Sequence, residues 1–107
     1  MDSTSAVLRL VGLGMRGRLV SVGVDRTREA AFKGTLRLAV VAADASPNSR
    51  DKIVPLLSGR GVSMIETASA DELGRAVGRA ATAVVGVLDV KLARGITTAH
   101  RGQGDIG

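Results

Sequence analysis

The sequence has no cysteine, tryptophan or tyrosine, and one phenylalanine and one histidine among 107 residues. Without cysteine there is no disulfide framework, no thiolate nucleophile and no cysteine-bound metal. With His100 as the single imidazole, a zinc centre and a Ser-His-Asp triad are both unsupported. Aromatic residues make up 1% of the chain, so Phe32 is the only ring available to a core otherwise built from Val, Leu, Ile and Ala. Proteins that stack successive bases on an aromatic platform need rings that this chain lacks. No run approaches the ~20 apolar residues that cross a bilayer, and the opening residues have no basic segment ahead of their apolar stretch. The reading is a cytosolic protein with no membrane partner.

What the chain does have is apolar patterning and positive charge. Hydrophobic residues make up 45% of it, and a chain of this length supports one core. The net charge is +5, unevenly placed. Up to residue 37 the bases Arg9, Arg16, Arg18, Arg26, Arg28, Lys33 and Arg37 face only Asp2, Asp25 and Glu29. A basic N-terminal third points to a polyanionic partner.

The organising stretch is LRLAVVAADASPNS, residues 36–49. Leu36, Leu38, Ala39, Val40 and Val41 form a nearly continuous apolar run, the pattern of a strand buried on both faces. The loop Ala43-Asp44-Ala45 follows, then Ser46 as N-cap and Pro47 at the first helical position, where a missing N–H costs nothing. A strand feeding a capped helix is the unit of a layered α/β domain.

In chain order, Ser3 or Ser5 caps a first helix with Val7, Leu8, Val11 and Met15 as its apolar stripe, ended by Gly14 and Gly17. Residues 19–22 form a short strand. Residues 23–34 form a second helix, with Gly23 or Asp25 near its cap, Gly34 after its end, and Thr27, Ala30, Ala31 and Phe32 facing inward. The third helix runs from Pro47 to about Gly59 with Pro55 kinking it. Residues 62–65 make a strand, and Ser69 with Glu72 forms a capping box that opens a fourth helix through Leu73 and Val77. A small-residue loop, 78–82, precedes a second fully apolar strand, 83–88. The last helix runs from Asp89 to about Ala99. Residues 1–99 are read as one domain and 100–107 as a flexible polar tail holding His100.

Two patterns invite an enzyme. Gly12-Leu13-Gly14-Met15-Arg16-Gly17 matches the dinucleotide fingerprint, which requires a strand before it, a helix after it and an acidic residue ~20 positions on. Here strand and turn residues follow instead, and Asp44 stands too late. Asp44 and Asp89 each follow an apolar strand, where α/β active sites gather, yet neither has a nucleophile or metal ligand beside it. Both read as turn formers or helix caps.

Three stretches taken together carry a family resemblance: Leu10-Val11-Gly12-Leu13 with Leu19-Val20-Ser21-Val22-Gly23, then residues 38–48, LAVVAADASPN, then Glu72-Leu73-Gly74-Arg75-Ala76-Val77-Gly78. Over residues 10–93 the chain resembles the small bacterial YlxQ-type proteins of the ribosomal L-seven-Ae/L-thirty-e superfamily. That resemblance implies a three-layer α/β/α sandwich with a small mixed sheet of about four strands. It also implies a non-enzymatic RNA-binding function without cofactor or metal. In the superfamily, the turn before the second helix with its first helical turn, and the loop before the last strand, contact kink-turn RNA. Carried over by position, the Gly-x-Asn-Glu of kink-turn binders falls on Gly23, Val24, Asp25 and Arg26, and a lysine falls on Glu29. Only the glycine is kept. Asp25 accepts where an amide also donates, Arg26 reverses a charge, and Glu29 repels a phosphate. The YlxQ-type branch lacks the Asn-Glu pair too, so the implied chemistry shifts from base readout to backbone and shape.

The resulting candidate site is Arg18, Gly23, Val24, Asp25, Arg26, Arg28 and Glu29 with Arg79, Ala80, Ala81 and Thr82. The expected partner is structured RNA, ribosomal or otherwise kink-turn-like, with ribosomal proteins as further partners. Oligomeric state is left open. The rival readings are a module that docks on a ribosomal or transcription protein, and the nucleotide-binding enzyme of the glycine pattern.

Overall fold

The computed structural model describes residues 2–102. Its elements are α1 (Ser3–Arg16), β1 (Val20–Val22), α2 (Val24–Lys33), β2 (Leu38–Val41), α3 (Pro47–Gly59), β3 (Met64–Glu66), α4 (Ala70–Ala76), β4 (Val84–Val87) and α5 (Val90–Arg101). The sheet order is β1-β4-β2-β3. β4 runs antiparallel to both of its neighbours, and β2 runs parallel to β3. The two interior strands, β2 and β4, are buried at every position, as their unbroken apolar runs require.

Helices cover both faces. α2 and α3 pack together on one, and α1, α4 and α5 pack together on the other. The pleat sorts side chains between them. Ser21 of β1 bonds the Thr27 hydroxyl of α2 at 3.1 Å, while Val20, one residue away, faces Gly14 of α1. On the α2 side Gly86 leaves room for that helix, since a Cβ there would stand 2.7 Å from Leu36 Cδ1 and 3.0 Å from Thr27 Cγ2. The core is completed by Val7, Val11, Ile53, Leu57, Leu73 and Ile96.

Caps match the sequence at most helix starts. Ser46 accepts from the Ser49 amide and Ser69 forms a full capping box with Glu72. The N-cap of α1 is neither serine but Asp2, one residue before Ser3 and three before Ser5, whose Oδ1 accepts from the Ser5 amide at 2.7 Å. A carboxylate outcompetes a hydroxyl here because it also meets the positive end of the helix.

The glycine pattern lies within and at the end of α1. Gly12 and Gly14 are helical and Gly17 is the C-cap. A Cβ on Gly14 would meet Leu92 Cδ2 at 2.5 Å and Val20 Cγ1 at 3.0 Å, so this glycine serves close packing against α5 and β1. No strand-to-helix turn exists there, which removes the dinucleotide reading. Two further expectations are corrected. Phe32 is 53% exposed, because the inward stripe of α2 is filled by Thr27, Ala30 and Ala31 and the next position falls outside it. α5 continues through His100 and Arg101 to a left-handed Gly102, so these residues belong to the helix and not to a tail. Residues 103–107 of the expected tail lie outside the described residues.

Candidate functional site

β1 and β4 set the geometry. Val20 pairs with Val87 and Val22 with Val85, after which the Gly23 N–H donates to the Val84 carbonyl at 2.8 Å. This bond places the start of α2 beside the start of β4, and so beside the loop at residues 77–83. The C-terminal end of β2 joins them, through the Ala42 N–H donating to Ala83 O at 2.8 Å. One end of the sheet therefore gathers Gly23, Val24 and Asp25 with Arg79, Ala80, Ala81 and Thr82.

Each half is built by backbone chemistry. Gly23 has φ 95° and ψ 166°, a conformation that L side chains rarely adopt, and as N-cap it offers no side-chain acceptor to the first turn. The first-turn amides of a ten-residue helix are thus left without a side-chain cap. The loop is fixed from behind. Arg79 N–H donates to Gly74 O at 2.7 Å, Thr82 N–H to Ala70 O at 2.9 Å, and the buried Thr82 hydroxyl to Ala80 O at 3.0 Å. Arg79, Ala80 and Ala81 remain exposed at the rim. Small side chains at the rim let another molecule approach the backbone closely.

The loop's position depends on Gly74. A Cβ there would lie 2.6 Å from the Ala80 carbonyl carbon and 2.9 Å from Arg79 O, closer still to Ala80 O. The adjoining loop at residues 42–46 is held similarly: Asp44 Oδ1 accepts from the Ala70 amide at 2.8 Å. Arg50 donates to the carbonyls of Ala42, Ala43 and Ala45 and pairs with Glu66. Asp89 is the N-cap of α5 and accepts from the Leu92 amide at 2.9 Å. Both carboxylates at the strand ends are therefore engaged by helix amides.

The charged candidates disperse. Arg18 precedes β1 at the opposite end, where Leu88 N–H bonds Leu19 O at 2.8 Å, about 13 Å of strand away from Gly23. Arg26 lies with Ser21, Leu88, Glu29 and Lys33 in a shallow cleft along the β1 edge. Arg28 turns the other way, toward α3, and donates to the Lys52 carbonyl. Glu29 pairs with Lys33 at 2.8 Å, which holds its carboxyl below the usual carboxylate range. Sequence reasoning gave no role to Gly74 or Arg50. The first sits in a quoted family stretch, and nothing short of the loop's return path discloses its role. Nor did it single out the grouping of Arg28, Phe32 and Arg60; the i, i+4 spacing of the first two was readable.

Residues 5–95 match the Ribosomal protein L7Ae/L30e/S12e/Gadd45 family, and the chain belongs to it. Among solved structures it is similar to a protein of unknown function from Bacillus halodurans C, with TM-score 0.83 and 24% identity over 89% of this chain and 96% of that one. It is also similar to the Giardia lamblia 15.5kD RNA binding protein, with TM-score 0.79 and 21% identity over 94% of this chain and 86% of that one. At these identities the two structures establish a shared fold. No curated protein matches the sequence.

Proposed function

We propose that the protein binds structured RNA, ribosomal RNA being the leading candidate, through the cleft between the Gly23 turn and the loop at residues 79–82. The observation that carries this reading is the Gly23 to Val84 hydrogen bond, which sets an uncapped helix N-terminus beside an exposed small-residue loop. Membership of the L7Ae/L30e family and the likeness to an RNA binding protein support it. Uncapped amides and the helix dipole favour a phosphate. Asp25 in the first turn works against that field, so Arg79 at the rim, and Arg26 from the adjoining β1 edge, supply the cationic contacts. Arg18, at the far end of β1, is left out of the cleft. The activity is binding without catalysis, and its setting on this reading is the cytoplasm. Ribosomal proteins are secondary partners.

The test is binding to a kink-turn RNA and to an unrelated structured hairpin across a salt series. Comparable affinities with matching salt slopes are expected, along with at least tenfold weaker binding by Arg26→Glu/Arg79→Glu at low salt. Failure to bind either RNA at low salt would overturn the reading and favour a protein-docking module.

A further inference from the structure

The α2–α3 face carries the chain's only phenyl ring with arginines around it. The guanidinium carbons of Arg28 and Arg60 lie 5.6 and 5.3 Å from the Phe32 ring centroid, within cation–π range. Each is tethered by a backbone carbonyl: Arg28 donates to Lys52 O, and Arg60 donates to Phe32 O at 3.4 Å. A carbonyl fixes a guanidinium without neutralising it, and most of its five N–H donors stay free. Next to them Arg37 and Arg60 line a cleft of about 360 Å³ between the glycine turns at Gly34 and Gly61, with no carboxylate in its lining. Among the described residues the ion pairs are Lys33–Glu29 and Arg50–Glu66, so Arg28, Arg37 and Arg60 have no acidic partner.

We propose that this face is a second RNA contact, in which Arg28, Arg37 and Arg60 grip backbone phosphates and the exposed edge of Phe32 lies against a ribose or an unpaired base. The proposal rests on the reading of the chain as an RNA binder. Three guanidiniums without an acidic partner, two held over one ring and the third sharing a cleft with one of them, call for a polyanion. A planar fork matches phosphate oxygens two at a time, and a ring beside it offers the apolar surface that nucleotides use. Continuity points the same way. α2 begins at the Gly23 cleft and ends at the Gly34 turn, ten residues or about 15 Å later, a span that a few nucleotides of single strand cover. A strand leaving the cleft along α2 meets Arg28 first and the Arg37–Arg60 pair last.

The experiment uses fluorescence anisotropy of a labelled kink-turn RNA with a single-stranded 3′ extension, over a KCl series. It compares the wild-type chain, Arg37→Glu/Arg60→Glu, and a charge-matched Arg9→Glu/Arg94→Glu control on the opposite helical layer. We expect Arg37→Glu/Arg60→Glu to bind at least tenfold more weakly at 50 mM KCl. Its log–log salt slope should fall by roughly 1.4 to 1.8, the release from two phosphates. The control should shift affinity less than threefold. Matching affinities for the wild type and Arg37→Glu/Arg60→Glu, or an equal loss in the control, would overturn the proposal while leaving the Gly23 reading intact. No binding by the wild type would instead bring down the RNA reading itself. Circular dichroism melts check folding. Should the double variant melt early, photocrosslinking of the wild-type chain to a 5-iodouridine-substituted extension decides: a crosslink on the peptide containing Phe32 supports the contact, and crosslinks confined to other peptides overturn it.

Discussion

At the scale of single residues, the stretches that mark the family turn out to be joinery. Asp44, Ser46, Ser69 and Glu72 spend their side chains on helix amides, and Gly74 spends its missing Cβ on the Ala80 carbonyl. Their types are readable because each cap has a chemical signature; their purpose, holding two loops at one sheet end, is long-range and has no local signature. Gly74→Ala is therefore expected to cost about 1–3 kcal/mol, the range of overpacked sites, and to lower the melting temperature by several degrees. It should weaken RNA binding beyond the stability loss, measured well below the melting point. Acid titration reads a second pair of residues. The Asp2 carboxyl is held below its usual range first by the hydrogen bond from the Ser5 backbone amide, and Glu29 is lowered first by its bond from Lys33. A carboxyl lowered on folding adds stability above its unfolded value near pH 4, lost as pH falls through the folded value. Asp2→Asn should flatten the part of the stability–pH curve below pH 4 and lower the neutral plateau slightly, the two proteins converging in acid.

At the scale of elements, the sequence was most legible where periodicity and caps agree. The two buried strands, the Ser46 and Ser69 helix starts and the Gly34 stop are all in place. The ring was misplaced because composition argues that a scarce apolar group belongs inside, whereas the helical stripe had no room for it. Phe32→Ala should accordingly change stability by under 1 kcal/mol, against the 2–5 kcal/mol expected for Ile53→Ala in the core, both read by urea unfolding. α3 offers a different case. Pro55 sits inside the helix without ending it, although its ring removes one hydrogen bond and crowds the preceding turn. That cost, about 3 kcal/mol in a helix interior, exceeds the ~1 kcal/mol that proline saves in the unfolded chain. Pro55→Ala, at an exposed position, is expected to raise the urea midpoint without changing the slope.

At the scale of the whole molecule, positive charge counted along the chain does not foretell which end of the sheet receives it. Arg18 and Gly23 are five positions apart, and the β1 crossing sends them to different ends. Arg26 and Arg28 are two positions apart, and α2 turns them to opposite flanks. A glycine ahead of a helix start marks Gly23 from the residues alone, but its pairing with the loop at residues 79–82 was legible only through family position, since the bond that builds it joins residues 23 and 84.

The strand order carries a further consequence, for time. β4 lies between β1 and β2, and Leu38 pairs with Val87 more than forty residues away. Until β4 is in place, β1 has no partner and β2 has only β3. The closing step is long in sequence separation, and such steps are slow beside the forming of helices. On a translating ribosome the sheet therefore remains open until residue 87 has left the exit tunnel. A chain stopped short at residue 83 should be cut by protease at rates close to those of an unfolded polypeptide, and release of the last strand should convert it to a resistant form in one cooperative step.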